Sequence, residues 1–306
     1  MKRIMLIPAA IATLAMTACG GAEESTDENE STDNAPETTE EVEVNRSEID
    51  PFPDFPAVDL QANEGDIVLT PSKNWQEDAT EKGADDVTFI FYNQKLSAVG
   101  ETTSTVAFTF DGETEIPNYM IIPIKPNQTA KKGDIILTWW QTGSGMQRAI
   151  VTDASDPAAP VVNYLDLDWD NPATNDDGTG IGQATYKIEP GTFHVLSSEW
   201  EPGTTVAVKT DGKTKAATIV RVSGDKVLTL GFAGKMAVYS KSDCTPCPIK
   251  PSVKTGDEVQ VPWVGSFTTT TVQKVDNEKG RVWCDDPYSD DPMVVAFGDV
   301  MTGLAI

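Results

Sequence analysis

One segment near the C-terminal end of the chain predicts the repeating unit of this protein. It reads Gly256-Asp257-Glu-Val259-Gln-Val261-Pro-Trp263-Val-Gly265-Ser-Phe267, and a Thr- and Val-rich run follows to Val275. Val259, Val261 and Trp263 share one parity, which predicts a strand with one buried face. Gly265 predicts a tight turn into a second antiparallel strand.

The beginning of this stretch recurs three times along the chain. The other copies are Gly133-Asp134-Ile-Ile-Leu-Thr-Trp139-Trp140, Gly65-Asp66-Ile-Val-Leu-Thr and the weaker Gly203-Thr-Thr-Val206-Ala-Val208. A Pro-Ile-Lys-Pro sequence precedes both the second and the fourth copy. The spacing predicts four small modules, at residues 59–128 (first), 129–199 (second), 200–250 (third) and 251–306 (fourth).

Composition favours β-structure in all four modules. The 306 residues include 20 Pro, 23 Gly and many Thr and Val, and Asp-Gly and Gly-Asp pairs separate the β-like runs. Four or five short strands in so few residues close most readily into a barrel, because closure removes exposed strand edges. We therefore expect an all-β protein, a tandem array of about four small barrels.

The N-terminus carries the pattern of an export signal. Lys2 and Arg3 precede an apolar run, and the segment ends on Leu-Ala-Met-Thr-Ala-Cys19. This resembles the lipobox of bacterial lipoproteins, although Met16 replaces the usual Leu. The resemblance implies a signal peptide at residues 1–18, lipidation of Cys19 and a membrane anchor. It also implies a place in the bacterial cell envelope, and Gly20 after the Cys implies the outer membrane. An ordinary cleaved signal peptide is the alternative.

An acidic segment follows the Cys. Residues 19–50 hold 12 Asp and Glu against one Arg and no aromatic residue, so residues 19–58 are predicted to be a disordered tether. The whole chain has a formal net charge of -25, which would repel phosphate backbones and so disfavours nucleic acid as a partner. The same charge favours either simple solubility or attraction of cationic ligands.

The module pattern resembles the Tudor/agenet group of SH3-like barrels. The match consists of Gly-Asp-x-Val, then Trp-x-Gly-x-aromatic, then a Val-rich strand with an acidic end, and it is best over residues 256–297. The resemblance implies an aromatic cage for a cationic side chain, formed by Trp263, Phe267 and Trp283 with Asp285 or Asp286 as the anionic side. In the second module it implies Trp139, Trp140, Tyr164 and Trp169 as counterparts. The alternative is that these rings form barrel core or contacts between modules.

The cysteines favour structure over catalysis. Cys244-Thr-Pro-Cys247 has C-x-x-C spacing, but its prolines forbid the helix N-terminus that a redox motif uses. In an exported chain a structural disulfide between Cys244 and Cys247 is expected, with pairing of either to Cys284 as the alternative. With one histidine, His194, a zinc site is disfavoured.

No cofactor motif or nucleophile elbow is present, and we expect no enzyme. The acidic loops at residues 166–170 and 285–291 are either solvated or calcium-binding; the first lacks the glycine and the glutamate of an EF-hand loop. The sequence thus predicts a non-catalytic binding or scaffolding lipoprotein, with a basic peptide or protein as a candidate partner. An envelope thiol-disulfide protein using Cys244 and Cys247 and a structural spacer are the alternatives.

Overall fold

A computed structural model describes residues 50–82, 87–109, 112–141, 145–166 and 185–306. The described chain is nearly all β, with nineteen strands and one α-helix. The predicted signal peptide, Cys19 and the acidic tether up to residue 49 lie outside the described ranges, as do Trp169 and most of the acidic loop at residues 166–170.

The first two modules each contain one five-stranded antiparallel sheet. In the first, the strands are β1 (Ile67–Pro71), β2 (Phe91–Ala98), β3 (Thr103–Phe108), β4 (Gly112–Pro117) and β5 (Ile122–Pro123). In the second, they are β6 (Ile135–Trp139), β7 (Met146–Asp153), β8 (Val161–Tyr164), β9 (Thr185–Lys187) and β10 (His194–Val195). The strand orders are β4-β3-β2-β1-β5 and β9-β8-β7-β6-β10, so the last strand pairs with the first in each case.

The third and fourth modules repeat this order. The third contains β11 (Thr205–Thr210), β12 (Lys213–Ser223), β13 (Lys226–Gly231), β14 (Met236–Ser240) and β15 (Cys244–Pro246), with β15 paired to β11. The fourth contains β16 (Glu258–Trp263), β17 (Ser266–Asp276), β18 (Arg281–Cys284) and β19 (Met293–Ala296). A bridge between Gln260 and Met301 stands where the other modules have their fifth strand. One arrangement of five β-segments therefore occurs four times.

The repeated glycine is explained by the turn that precedes each first strand. Gly65, Gly133, Gly203 and Gly256 have φ of 87°, 86°, 90° and 89°, a region that side chains disfavour and that the third residue of a type II turn requires. In three modules the Asp after this glycine accepts a hydrogen bond at Oδ2 from the peptide N–H three residues earlier, at 2.8 to 2.9 Å. The Gly-Asp pair is therefore a turn-forming element, used where the first strand begins.

A bulge occurs at the same place in the second strand of every module. The pairing with the third strand shifts directly after Leu96, Val151, Ile219 and Val272. The carbonyl of each of these residues accepts a hydrogen bond from the peptide N–H of its module's turn glycine, at 2.7 to 2.8 Å. A bulge bends and twists its strand, which is how a short sheet curves toward closure.

The largest hydrophobic cluster spans all four modules, and three smaller clusters lie within the second module, within the third, and between the third and the fourth. The largest buried cluster includes Val68, Leu137, Leu228 and Val282, one from each module and each fully buried. Burial of such a side chain contributes roughly 1.5 to 3 kcal/mol, so the contacts between modules contribute substantially to stability.

Two arginines also join modules. Arg221 of the third module donates hydrogen bonds to the carbonyls of Asn118 and Ile121 in the first. Burial lowers the pKa of Arg221 to about 10. Arg281 of the fourth module donates to the carbonyls of Tyr164 and Leu165 in the second.

The first module also contains a helix. Helix α1 spans Asn74–Lys82. It is anchored by Trp75, which is 1% exposed and lies with its ring 6.0 Å from that of Phe89. Within the described ranges, no helix combines the length and the apolar character needed to cross a membrane.

Candidate functional site

Two aromatic rings stack at one end of the fourth module. Trp263 ends strand β16, and its ring lies 5.7 Å from that of Tyr288 with an interplanar angle of 20°. Trp263 is half-buried and packs against the large core, whereas Tyr288 is 77% exposed. The pair therefore joins a fixed inner ring to an outer ring that solvent can reach.

The loop that carries Tyr288 is acidic. Asp285, Asp290 and Asp291 are exposed and Asp286 is half-buried. Asp286 Oδ1 accepts a hydrogen bond from the peptide N–H of Tyr288 at 2.8 Å, which fixes the turn that presents the ring. Asp285 is held at both ends, because its carboxylate accepts from Gln273 Nε2 at 2.6 Å and its carbonyl accepts from Thr270 Oγ1 at 2.6 Å. An exposed aromatic ring on an acidic loop is suited to attract a cation.

The cage predicted from Trp263, Phe267 and Trp283 is not formed. Residues directly opposite each other in antiparallel strands lie on the same face, and here Val272 pairs with Cys284 and Lys274 with Trp283. Cys284 belongs to the core face with Trp263, so Trp283 lies on the opposite face of the sheet. A shift of one residue in strand register moves a side chain to the other face of the sheet. Sequence spacing does not fix this register, so it placed Trp283 on the wrong face.

Phe267 and Trp283 already have partners within the chain. Phe267 is 6% exposed and packs in a small cluster with Ala207, Cys247 and Met301. Trp283 makes a cation–π contact with Lys274, whose Nζ lies 4.2 Å from the ring centroid. Phe267 is thus core, and the face of Trp283 is occupied by a cation of the same molecule.

The four rings predicted in the second module do not form a matching site. Trp139 is 8% exposed and belongs to the large core, and Tyr164 is fully buried in a separate cluster. Burial raises the pKa of Tyr164 to about 12, and its hydroxyl accepts from the peptide N–H of Gln141 at 3.1 Å. Trp140 is the positional counterpart of Trp263, seven residues after its turn glycine, and is half-buried. Trp169 lies outside the described ranges.

The disulfide predicted between Cys244 and Cys247 is absent, since both are free thiols. Strand β15 runs Cys244–Pro246, and the two side chains enter different clusters, Cys244 with Val206 and Val208 and Cys247 with Ala207 and Phe267. Residues three apart in extended chain are about 10 Å apart and point to opposite faces, beyond the reach of a disulfide.

The environment of the thiols disfavours redox chemistry. Burial, with the nearby charge of Asp243, raises the pKa of Cys244 to about 11. Burial likewise raises the pKa of Cys247 well above its ordinary value, and burial together with Asp285 raises that of Cys284 to about 11. A thiol becomes a nucleophile only as the thiolate, so all three groups are in the unreactive form near neutral pH.

The acidic loops show no arrangement for a metal in the part of the chain that is described. No group of three or more His, Cys, Asp or Glu side chains there could hold an ion. Asp166, the first acid of the loop at residues 166–170, instead pairs with Arg148, whose Nη2 lies 2.6 Å from Asp166 Oδ1.

Sequence reasoning missed two features. Tyr288 lay within a loop considered for its carboxylates, and no local signal shows that its ring stacks on Trp263 from 25 residues away. The second is a cavity in the third module, lined in part by Lys213, Lys215 and Lys235. Lys213 and Lys215 are neighbours on strand β12, whereas the fold brings Lys235 to the same cavity from 20 residues further along the chain.

Comparison with protein-family models gave no match, and comparison with curated proteins gave none. Among solved structures, the chain is similar to the crystal structure of Arabidopsis thaliana AGDP1 AGD34, with 19% sequence identity. The match covers 34% of this chain and 82% of that one, with a TM-score of 0.21. Similarity at this level carries no conclusion. The fourfold all-β architecture stands on the strand pairing described above.

Proposed function

We propose that this chain is a non-catalytic binding protein of the bacterial cell envelope, held at the membrane by lipid on Cys19. Its ligand is a cationic peptide segment or a Lys- and Arg-rich patch of a partner protein. The observation that carries the proposal is the exposed ring of Tyr288, which stacks on Trp263 and lies in a loop with Asp285, Asp286, Asp290 and Asp291.

Two interactions attract a cation to this loop. An ammonium on an aromatic face gains about 0.5 to 2 kcal/mol, depending on how far it is desolvated. The loop carboxylates add a longer-range attraction that salt weakens. Because Trp263 is packed and Asp286 fixes the loop, little conformational freedom is lost when the ligand binds.

A structural spacer is the second candidate. It is favoured by the shared core of the modules and by the burial of Phe267, Trp139 and Tyr164, which the cage interpretation had assigned to binding. A thiol-disulfide function is disfavoured, because its two cysteines face different clusters and have raised pKa values.

The binding proposal is tested by titrating the full chain with an oligolysine peptide while following Trp fluorescence at low and at high salt. We expect a saturable change at low salt that weakens at high salt and is lost in Tyr288→Ala. Phe232→Ala, which removes another exposed ring, is the matched control and should bind normally. The absence of a fluorescence change, or an equal change with oligoglutamate, would contradict the binding proposal and favour the structural spacer.

The anchoring proposal is tested separately by detergent phase partition. It rests on the apolar run that ends in Thr-Ala-Cys19. The wild-type protein should enter the detergent phase and Cys19→Ala the aqueous phase. A wild-type protein that remains in the aqueous phase would contradict the anchor without affecting the ligand proposal.

A further inference from the structure

The third module has an open barrel end where the fourth module is covered. Each first hairpin closes on one residue pair, Trp263 with Ser266 in the fourth module and Thr210 with Lys213 in the third. These positions correspond, because Thr210 and Trp263 each lie seven residues after their turn glycine. The third module thus has a small side chain where the fourth has an indole.

A cavity of about 310 Å³ lies at this open end. Its inner wall is the concave face of the barrel sheet, with Val208, Ala217, Ala237 and Tyr239 among its lining residues. Val208 pairs with Lys215 and Thr229 with Ala237, which places these residues on the core face together with the fully buried Ile219. The cavity is therefore a continuation of the barrel interior rather than a surface groove.

The rim of the cavity is basic. Lys213, Lys215 and Lys235 all line it. Lys235 Nζ donates to the carbonyl of Val87 in the first module at 3.2 Å. One carboxylate approaches, since Asp211 Oδ2 lies 4.0 Å from Lys215 Nζ, but that pair is exposed and weak. In a chain with a net charge of -25, this rim is a local site of positive charge.

The outer wall is apolar and comes partly from the fourth module. The hairpin tip of that module is fixed to the rim by pairing of Lys215 with Ser266 and by a hydrogen bond from the peptide N–H of Ala216 to the carbonyl of Gly265 at 3.0 Å. Next to this contact, Val264 is 69% exposed at a φ of 45° and Phe232 is 62% exposed. A positive φ is strained for a β-branched residue, and such strain persists where the surrounding contacts impose it.

We propose that this lysine-rimmed cavity binds a small carboxylate whose body is aromatic or branched aliphatic. The apolar body enters the barrel end against Ala217 and Ala237, and the carboxylate remains at the mouth beside Lys213 and Lys215. The volume is at the lower end of the range for small-molecule sites, which fits a ligand with a single ring. This site takes the opposite charge to the Tyr288 loop and is independent of the proposed function.

The test uses N-acetylphenylalanine and its uncharged amide, followed by ligand-observed NMR with the full chain at low salt. We expect saturable binding of the acid and about tenfold weaker binding of the amide. The double change Lys213→Ala with Lys215→Ala should weaken binding of the acid to about the level of the amide. Lys209→Ala with Lys250→Ala removes two exposed lysines that do not line the cavity, and it should leave binding unchanged.

A third variant tests the cavity itself. Ala237→Leu keeps every charge but fills the barrel end, so it should abolish binding while near-UV circular dichroism remains native. Equal binding of acid and amide, no saturable binding of the acid, or unchanged binding in the folded Lys213/Lys215 variant would each overturn the proposal. If Ala237→Leu does not fold, the lysine variants decide.

Discussion

Arg148 Nη2 donates a hydrogen bond to Asp299 Oδ2 at 2.9 Å, across the boundary between the second and the fourth module. The same guanidinium contacts Asp166 at 2.6 Å, and its Nη1 donates to Thr205 Oγ1 of the third module at 3.2 Å. Thr205 Oγ1 in turn donates to Asp299 Oδ1 at 2.5 Å. One buried side chain therefore joins three modules, and Arg148 is only 8% exposed.

Arg148→Ala should destabilise the protein strongly. Removing the guanidinium leaves two carboxylates near the junction without their cation, and breaking a buried ion pair typically costs about 3 to 5 kcal/mol. The free energy of unfolding in urea measures the effect. Lys132→Ala is the control, because its ion pair with Glu278 at 3.6 Å is exposed and should contribute less than about 1 kcal/mol. Equal small losses in both variants would contradict the role of the network.

Stability should also fall in acid through Asp166. Burial acts to raise the pKa of this carboxyl, but the charge and hydrogen bonds of Arg148 outweigh it and hold the pKa below its ordinary value. Since the folded pKa is below the unfolded one, the ionised group stabilises the fold above about pH 4 and this contribution is lost as pH falls through the folded pKa.

Asp166→Asn isolates this contribution. We expect it to lower the free energy of unfolding by about 1 to 3 kcal/mol near neutral pH, with a smaller difference from wild type in acid. Urea denaturation across pH provides the comparison. A difference that stays constant with pH would show that the carboxyl does not titrate with folding.

Replacing a turn glycine should destabilise the protein through backbone strain alone. A Cβ on Gly256 would meet no heavy atom within 4 Å, yet its φ is 89°. Gly256→Ala should therefore cost about 1 to 2 kcal/mol through strain, and Gly256→Asn less, because Asn tolerates this region better. Thermal denaturation of the two variants tests the order, and equal stability of Ala and Gly at this position would refute it.

Phe267 and Tyr288 should differ sharply when truncated. Phe267→Ala removes a ring that is 6% exposed and should lower the free energy of unfolding by about 3 to 5 kcal/mol. Tyr288 is largely exposed, so Tyr288→Ala should lower it by less than about 1 kcal/mol. Chemical denaturation of both variants measures this. A large stability loss in Tyr288→Ala would make that ring structural and weaken its assignment to binding.

The repeat itself could be predicted from the sequence. Gly-Asp at a turn and alternation such as Val259, Val261, Trp263 are local signals, and each reports a local structure that the fold keeps. They gave the all-β class and the places where the four first strands begin. The five-segment order, with its closing pair, follows less directly because it depends on contacts far apart in the chain.

The predicted cage and disulfide were wrong because the positions of their side chains depend on strand register and on contacts between distant residues. Whether Trp283 faces the core or the opposite side depends on the bulge after Val272, and the stacking of Tyr288 on Trp263 depends on how strand β19 and its loop return to the barrel. The spacing of Cys244 and Cys247 fits a disulfide only if the chain turns between them, whereas the segment is extended. No local sequence pattern indicates that Arg148 joins three modules, because its hydrogen-bond partners lie 18, 57 and 151 residues away.

Urea unfolding of the full chain, followed by Trp fluorescence and far-UV circular dichroism together, tests most directly that the four modules form one structural unit. The shared core and the junction at Arg148 predict one cooperative transition with the same midpoint by both probes. Two or more separate transitions, with the modules unfolding independently, would contradict it.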